Sequence, residues 1–388
     1  MNRLVLFLPA LALAGACSPA ATGDETLALA APVGEADIAG ITDDDPEIRE
    51  YVLRNASGLT VRFLNYGGVI TAIETPDRDG QNANVVLGYG SESQYRELNG
   101  KNLFGAIVGR YAGRIKDARF AIDGQEVTLE PNLAGNALHG GAEPGIAFKL
   151  WQVRPFTDGE TVGAELTLTD PAEAQRFPGT LSLSVTYTLH PDDSLHIDYA
   201  ATSDAPTALN LTNHSYFNLG GIDSGTVTDH ALQVFAERFA ATDNEDIPTG
   251  ELVPVAGTPL DFREPHAIGE RIDAQSPLLA ADRGGYNHSW ALDKPAGELG
   301  RAVILADPAS GRRLTVETTE PSVHAYTGDY FDGADLSPSG RAIRPRDGIA
   351  LETQHFSDSP NRPEFPTTIL RPGETYRATT IWRFGTAP

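Results

Sequence analysis

The residues best suited to proton-transfer chemistry include a histidine inside an otherwise apolar run. His214 lies in segment 209–221, where Leu, Tyr and Phe are interleaved with Asn, Thr and Ser. In an extended strand Asn210, Thr212 and His214 would point to the same face. Polar groups in register are costly to bury alone, so we expect them to line a wet cleft or to hydrogen-bond together. A histidine in such a run is more often structural than catalytic, and this segment alone does not decide between the two.

Three further segments carry side chains suited to acid–base or binding chemistry. Glu352 follows the apolar stretch 348–351, although a carboxylate there is usually solvated at a strand end. His139 precedes two glycines, which let a ligand approach the backbone closely. Arg110 and Arg114 stand out because the chain has only 29 Lys and Arg against 53 Asp and Glu, although an ion pair would explain either arginine. None of these segments identifies a function singly.

The overall charge of the chain argues against a nucleic-acid partner. The formal net charge is −24 over 388 residues, whereas phosphate binding requires clusters of Lys and Arg that this sequence lacks. Acidity of this size repels anionic ligands, so it favours a neutral substrate over a phosphorylated one. Hydrophobic residues make up 40% of the chain, which is ordinary for a globular protein with a sizeable core.

Cysteine usage excludes several kinds of site. The only cysteine is Cys17, so the body of the chain has no disulfide, no thiolate metal site and no cysteine nucleophile. The histidines and carboxylates show no metal-ligand spacing, and no phosphate-binding loop is present. We therefore expect no metal site.

The first residues are typical of an export signal. Arg3 precedes the apolar run 4–14, which is too short for a permanent membrane span, and small residues lead from it to Cys17. This pattern resembles a bacterial lipoprotein processing site, at which the thiol of Cys17 would be diacylated. The alternative is ordinary signal-peptidase cleavage among the small residues before Cys17. The first interpretation predicts a lipid-anchored protein on the periplasmic side of the cell envelope, with the outer membrane favoured over the inner.

The rest of the chain divides into a tether and one domain. Residues 18–47 are poor in aromatic residues and carry an acidic cluster at 43–45, a composition typical of a flexible segment. We therefore predict a signal sequence over 1–17, a flexible acidic tether over 18–47 and a single domain over 48–388. We expect the protein to be a monomer or a weak dimer.

The domain has the pattern of short β-strands. Apolar residues alternate with Ser and Thr over 181–189, the turn residues 191–194 follow, and the alternation resumes over 195–199, which predicts a hairpin. No long segment has a convincing helical period. Many strands with Gly- and Pro-rich turns favour an all-β fold, namely one large antiparallel β-sandwich. Further predicted strands cover 60–63, 69–74, 119–122, 127–130, 165–169, 231–235, 302–305 and 314–317.

Taken together, the order and spacing of these segments resemble one family, the aldose 1-epimerases or galactose mutarotases. The resemblance runs over nearly the whole body, and the run 210–221 is its most specific piece. The other matching landmarks are 65–68, 85–89, 109–115, 138–141, 247–251, 257–263, 326–328, 351–354 and 370–374. The resemblance implies a β-sandwich isomerase that interconverts the α and β anomers of free aldoses such as galactose or glucose.

The resemblance also implies roles for four residues. His214 would be the general acid and Glu352 the general base, while Arg114 and His139 would help to hold the sugar. A cyclic hemiacetal opens when a base removes the O1 proton and an acid protonates the ring oxygen, so this chemistry requires no cofactor and no metal. The implied partner is a small monosaccharide, and the only membrane contact expected is through the N-terminal lipid anchor.

Three positions depart from the family pattern. Gly113 stands where the family commonly has Asn, Asn287 where it has an Asp that contacts the sugar, and His324 where a Gln is frequent. All three belong to the sugar-binding shell, while the implied acid–base pair is intact. We therefore expect retained chemistry with an altered sugar preference.

Two alternatives stay open at this stage. The first is a non-catalytic carbohydrate-binding protein of the envelope that uses the same cleft. The second is a different reaction on the same type of sandwich, such as hexose-phosphate epimerisation or polysaccharide cleavage. The net charge of −24 argues against the phosphorylated substrate.

Overall fold

A computed structural model describes Met1 and residues 34–41, 46–280 and 283–387. Residues 2–17, which contain Cys17 and all of the predicted signal sequence except Met1, lie outside the described residues, as do residues 18–33 and 42–45 of the predicted tether. Among the described residues no helix has both the length and the apolar character needed to cross a bilayer.

The described residues form 28 strands and a few short helices. The first fourteen strands are β1 Glu35–Ile41, β2 Arg49–Arg54, β3 Thr60–Leu64, β4 Ile70–Pro76, β5 Asn82–Asn84, β6 Ile107–Val108, β7 Arg114–Ile115, β8 Arg119–Ile122, β9 Gln125–Thr128, β10 Ala137–Leu138, β11 Gln152–Asp158, β12 Thr161–Asp170, β13 Leu181–Leu189 and β14 Ser194–Ser203. The others are β15 Thr207–Ala208, β16 Thr212–Asn213, β17 Tyr216–Phe217, β18 Ala231–Val234, β19 Arg238–Thr242, β20 Pro248–Pro254, β21 His266–Ala267, β22 Asn287–Ala291, β23 Gly300–Ala306, β24 Arg312–Thr318, β25 Ser322–Tyr326, β26 Ile349–Gln354, β27 Ile369–Leu370 and β28 Tyr376–Thr386.

The helices are short and peripheral to this β architecture. The α-helices are α1 Glu92–Leu98, α2 Gly269–Ile272 and α3 Pro277–Ala280. The 3₁₀ turns cover Lys116–Ala118, Ile146–Phe148, Ala174–Arg176 and Ser359–Asn361. The all-β prediction is therefore confirmed.

The largest sheet has nine antiparallel strands and supplies one wall of the core. Its order is β11-β12-β13-β14-β28-β24-β23-β18-β21, so the last strand of the chain lies in the middle, paired with β14 on one side and β24 on the other. The predicted hairpin is β13 and β14, in which Leu189 pairs with Leu195. The alternation in β13 buries every second residue, and each fully buried Leu or Val contributes roughly 1.5–3 kcal/mol.

Two further sheets complete the framework. A six-stranded antiparallel sheet has the order β17-β26-β25-β22-β19-β20, and a five-stranded one runs from β1 to β5 in sequence order. Buried side chains from all three sheets belong to one large apolar cluster, including Phe63, Leu195 and Trp290. The six-stranded sheet matters most for function, because β26, β25 and β22 carry three of the predicted site residues side by side.

The tether prediction is wrong for part of its length. Strand β1 occupies Glu35–Ile41 and pairs antiparallel with β2, with Ile38 opposite Tyr51. The composition of this segment gave no β signal, because an edge strand is held by backbone hydrogen bonds to its neighbour and needs no dense apolar pattern of its own. The domain therefore begins before residue 48.

The polar run 209–221 is not the single strand that the sequence suggested. It breaks into the two-residue strands β16 and β17, and of Asn210, Thr212 and His214 it is His214 that lines the cleft. Asn210 donates to the carbonyls of Ala112 and His355, and the Thr212 hydroxyl donates to the carbonyl of Thr353. These two residues therefore fix the backbone that carries His214.

Candidate active site

One cavity of about 370 Å³ brings the predicted site residues together. It is lined by all six of them, contributed by six separate parts of the chain: Arg114, His139, His214, Asn287, His324 and Glu352. Glu352 lies on β26, His324 on β25 and Asn287 on β22, three adjacent strands. His214 comes from the link between β16 and β17, and Arg114 and His139 come from the paired strands β7 and β10 and the turn after β10.

The implied acid–base pair lies at the bottom of this cavity. The Nε2 of His214 is 3.5 Å from the Oε1 of Glu352, and both side chains are nearly buried, at 6% and 3% exposure. Within the described part of the chain, the Nδ1 of His214 and the Oε2 of Glu352 are buried and have no hydrogen-bond partner. Buried polar atoms are ordinarily satisfied, so these two indicate a place where a polar ligand completes the bonding.

The environment of Glu352 makes its carboxylate more basic. Burial raises the pKa of Glu352 above its ordinary value of 4.5, while the nearby His214 and Arg114 act in the opposite direction. A carboxylate in a low-dielectric site is more basic than one in water, which strengthens its tendency to remove a proton from a hydroxyl.

His139 is held as a neutral hydrogen-bond donor. Its backbone N–H donates to the Gly113 carbonyl, and its Nδ1 accepts the Gly113 N–H at 3.2 Å. Burial, together with the neighbouring His214 and Arg114, holds the pKa of His139 well below its ordinary value of 6.5. A neutral ring that accepts at Nδ1 carries its proton on Nε2.

The two histidines and the glutamate are also close enough to hold one ion. One ligand atom from each of His139, His214 and Glu352 lies within 4.8 Å of the others. The bond from Gly113 to the Nδ1 of His139, however, places the ring proton on Nε2 and makes that nitrogen a donor. The arrangement therefore suits hydrogen bonding to a sugar better than metal ligation.

The structure separates the two arginines that the sequence left equivalent. Arg110 is fully buried away from the cleft, in an ion pair of 2.5 Å with Asp170. Its guanidinium also donates to the carbonyls of Pro171 and Gly179. Arg114 borders the cavity, and its charge is partly balanced by Asp246 at 3.2 Å. Of the two arginines, Arg110 is therefore structural, and Arg114 is the one that borders the cavity.

The glycine at position 113 fits a crowded, left-handed position. Gly113 has φ +82°, and a Cβ built there would lie 2.4 Å from the Ser357 Oγ. That hydroxyl accepts the backbone N–H of Arg114 at 3.1 Å. The serine oxygen thus occupies the space into which a side chain at 113 would project.

The other two departures from the family pattern touch each other. The Nε2 of His324 lies 2.7 Å from the Oδ1 of Asn287, and its Nδ1 lies 2.9 Å from the Ser289 Oγ. Burial holds the pKa of His324 well below its ordinary value, with Arg114 as the next cause. The ring is therefore neutral at pH 7.

Sequence reasoning missed three residues of the site. Asp246 pairs with Arg114, Ser357 positions the Arg114 backbone, and Ser289 contacts His324. The acidic turn 243–246 was the one available signal, because it directly precedes the landmark 247–251. The two serines carry no signal in a single sequence, because Ser occurs throughout this chain.

Comparison with known proteins decides the family. The profile described as aldose 1-epimerase matches residues 49–383. The chain belongs to the aldose 1-epimerase family. The chain is 37% identical to the galactose mutarotase of Rattus norvegicus, over 88% of this chain and 95% of that one. It is 34% identical to the aldose 1-epimerase of Escherichia coli K12, over 89% and 97% of the two chains.

Solved structures agree with this family assignment. The galactose 1-epimerase of Lactobacillus acidophilus superposes with a TM-score of 0.78 at 29% identity, covering 92% of this chain and 99% of that one. The GalM/aldose epimerase homologue of C. elegans gives a TM-score of 0.76 at 28% identity, covering 85% and 97%. The predictions of the family, of the sandwich fold and of an isomerase are confirmed.

Proposed function

We propose that this family member interconverts the anomers of free aldoses, galactose and glucose first among them, with His214 as general acid and Glu352 as general base. The observation that carries the assignment of roles is the buried pair itself. Two proton-transfer groups lie 3.5 Å apart at the bottom of a sugar-sized cavity, each with a polar atom that lacks a partner among the described residues.

Ring opening uses both groups at once. The Glu352 carboxylate removes the O1 proton as the C1–O1 bond becomes a carbonyl, and the imidazolium of His214 gives its proton to the ring oxygen O5 as the C1–O5 bond breaks. The product is the open-chain aldehyde, with the O1 proton on Glu352 and the O5 hydroxyl beside a neutral His214. This chemistry requires each group to lie within hydrogen-bond reach of its own oxygen.

Ring closure reverses these transfers on the other face of the carbonyl. Rotation about C1–C2 turns the aldehyde over. His214 then takes back the O5 proton as O5 attacks C1, and Glu352 returns its proton to the carbonyl oxygen. Both groups end in their starting states, and the Nε2–H of His139 and the guanidinium of Arg114 hold the sugar hydroxyls meanwhile.

Polarimetry tests this proposal directly. Freshly dissolved α-D-galactose, α-D-glucose, α-D-xylose and β-L-arabinose are followed with and without the purified protein. The proposal expects faster approach to the anomeric equilibrium with at least one aldose, and loss of that acceleration in His214→Ala and Glu352→Gln. Absence of acceleration with all four sugars would overturn it.

A non-catalytic sugar-binding protein is the second candidate. The substitutions at Gly113 and Asn287 favour it, because both change the shell that reads the sugar while the acid–base pair stays in place. Calorimetric binding of an aldose without any acceleration of mutarotation would select this candidate.

We also propose that the chain is exported and anchored through a lipid on Cys17, on the periplasmic side of the outer membrane, as a monomer or weak dimer. The support is the apolar run 4–14 followed by small residues and the sole cysteine. Metabolic labelling with a radioactive fatty acid should mark the wild type and leave Cys17→Ser unlabelled. Equal labelling of both would contradict the anchor, and cleavage without labelling would indicate ordinary signal-peptidase processing.

A further inference from the structure

Four buried polar atoms of the cavity-lining residues have no hydrogen-bond partner in the described part of the chain. They are the Arg114 Nε, the His214 Nδ1, the Glu352 Oε2 and the Gln354 Oε1. Buried polar atoms are ordinarily paired, so an unpaired set around one cavity indicates a polar ligand. The acid–base pair and Arg114 already have proposed roles with the sugar, whereas Gln354 has none.

Gln354 lies beside the general base on the same strand. It follows Glu352 by two residues on β26, so both side chains project from one face of the sheet. The rise of a strand puts their starting points about 7 Å apart, which is the scale of a pyranose ring. If Glu352 acts at O1, Gln354 therefore meets another part of the sugar.

The backbone around this side chain is fixed by hydrogen bonds. The Ser322 hydroxyl on β25 donates to the Gln354 carbonyl over 2.6 Å, and the next N–H, that of His355, donates to the Asn210 Oδ1 over 2.9 Å. Gln354 itself is 1% exposed. A group that is held in place before binding loses little conformational freedom when a ligand arrives.

The types of the unpaired atoms indicate which chemical group they would bind. The Gln354 Oε1 only accepts hydrogen bonds, and the Arg114 Nε–H only donates them. A sugar hydroxyl can both donate and accept, whereas a carboxylate offers only acceptors and would leave the Gln354 oxygen unpaired. These two atoms therefore suit a neutral polyhydroxy ligand, and the Gln354 oxygen requires a hydroxyl that donates.

We propose that Gln354 determines sugar specificity, because its Oε1 accepts a hydrogen bond from one sugar hydroxyl other than O1. This inference rests on the proposed function of the cavity as a site for free aldoses. It follows that a sugar with a non-donating substituent at that one position binds weakly, since the buried oxygen then stays unpaired.

Deoxyfluoro sugars test this contact, because fluorine accepts weakly and cannot donate a hydrogen bond. We would measure by calorimetry the Kd of D-galactose and of its 2-, 3-, 4- and 6-deoxyfluoro derivatives, and divide each Kd by that of galactose. In the wild type this ratio should be about ten at the position that contacts Gln354. Gln354→Met keeps the length of the side chain without its carbonyl oxygen, so the ratio at that position should fall to near one.

A second glutamine on a strand provides the matched control. Gln233 lies on β18 of the nine-stranded sheet, is half-buried and donates to the Arg263 carbonyl over 2.9 Å. Gln233→Met should keep the wild-type ratio at every position, and so should the other three positions in Gln354→Met. Identical ratios in the wild type and Gln354→Met, or an equal fall in Gln233→Met, would overturn the inference.

Carbon-13 NMR of the glutamine side chains gives a readout in the wild type alone, so the test does not depend on the stability of Gln354→Met. The carbonyl resonance of the Gln354 side chain should move when galactose is added, because a hydrogen bond to the oxygen polarises the carbonyl. It should move less with one of the four fluorinated sugars. Equal movement with galactose and with all four derivatives would overturn the inference.

Binding and turnover together separate this inference from the proposed function. If the wild type accelerates no aldose but the ratio falls in Gln354→Met, the proposed catalysis fails and the contact stands. If the wild type turns over aldoses but Gln354→Met keeps the wild-type ratios, only the contact fails. Absence of binding to all five sugars would overturn the contact, and the polarimetric rates would then decide the catalysis by themselves.

Discussion

At the scale of single residues, the acid and the base should be separable by their effects on rate. Removing His214 leaves O5 without a proton donor, and a positioned proton transfer contributes about 10²–10⁴-fold. We expect His214→Ala to lower kcat by a factor in that range, measured by polarimetry with galactose, while the melting temperature stays near that of the wild type. His196→Ala serves as the control. A loss of less than about tenfold would contradict the assigned role.

The acid limb of the pH profile should report Glu352. Its pKa is raised above 4.5 by burial and opposed by His214 and Arg114. The base must be ionised, so activity is present above this raised pKa and is lost as the pH falls through it; the limb of kcat/KM should therefore lie above pH 4.5. Arg114→Gln removes one of the two opposing charges and should move the limb to still higher pH.

The control for this shift is Arg154→Gln, an arginine on β11 whose side chain is 77% exposed. It should leave the limb in place, because solvent screens its charge. A wild-type limb at or below pH 4.5, or a limb that moves to lower pH in Arg114→Gln, would show that a group other than Glu352 controls the profile.

At this scale the sequence predicts residue types better than contacts. His214, Glu352, His139 and Arg114 were expected in one site, and the cavity contains all four. The pairing of Asn287 with His324 was beyond the sequence, because the two residues lie 37 positions apart and meet only through the strand register of β22 and β25. The structural role of Arg110 and the placement of Arg114 beside the cavity were likewise beyond the sequence, because they depend on which carboxylate each guanidinium contacts.

At the scale of elements, Arg110 fastens the segment before β7 to the end of β12. Its guanidinium is fully buried against the Asp170 carboxylate and four backbone carbonyls. Arg110→Met removes the charge and leaves Asp170 with Lys149 as its one cationic partner among the described residues. Breaking a buried pair in this way costs about 3–5 kcal/mol. Urea unfolding measures this loss.

The comparison variant is again Arg154→Gln, which breaks an exposed pair with Glu165 on β12. An exposed pair contributes about 0–1 kcal/mol, so this variant should unfold near the wild-type midpoint. If Arg110→Met unfolded at the same urea concentration as Arg154→Gln, the buried pair between Arg110 and Asp170 would not stabilise the fold as its geometry suggests.

The turn between β6 and β7 should not accommodate Asn, the residue that is common in the family at position 113. Asn at 113 tolerates the left-handed backbone, but its Cβ would lie 2.4 Å from the Ser357 Oγ. We expect Gly113→Asn to displace that hydroxyl from the Arg114 N–H and to raise KM by about tenfold, the scale of one lost hydrogen bond. Adding Ser357→Gly makes room and should recover much of the loss. Failure of the double variant to improve on Gly113→Asn would refute the steric explanation.

Elements with a strong period-two pattern were predictable, and those without one were not. The hairpin of β13 and β14 is confirmed. Alternation over nine residues predicts a strand, because only an extended backbone places every second side chain on the face that packs against the core. The run 209–221 has polar residues at alternate positions and yet bends into two short strands, because Asn210 and Thr212 bond to backbone groups of other segments. Strand β1 has no such pattern, and it was missed because its pairing with β2 is made by backbone groups that leave no mark in the sequence.

At the scale of the whole molecule, the site should not depend on the N-terminal edge of the fold. Strand β1 pairs with β2 at the edge of the five-stranded sheet, and the six predicted site residues that line the cavity all lie on later elements of the chain. A chain that begins at residue 46 should therefore keep the kcat/KM of a chain that begins at residue 34, with a lower melting temperature because the edge bonds of β2 become exposed. Loss of activity at a temperature where the shorter chain is still folded would contradict this independence.

The place of the last strand bears on how the protein is made. Because β28 completes the middle of the nine-stranded sheet, the ribosome must release residues 376–386 before β14 and β24 can be joined. Until then each half of that sheet presents an open edge to other chains. Domain folding during synthesis generally proceeds from the N-terminus, but this sheet cannot close until residues 376–386 have left the ribosome. A nascent chain stalled before residue 376 therefore exposes the edges of β14 and β24, which should make it more prone to aggregation than a chain in which β28 has paired with both.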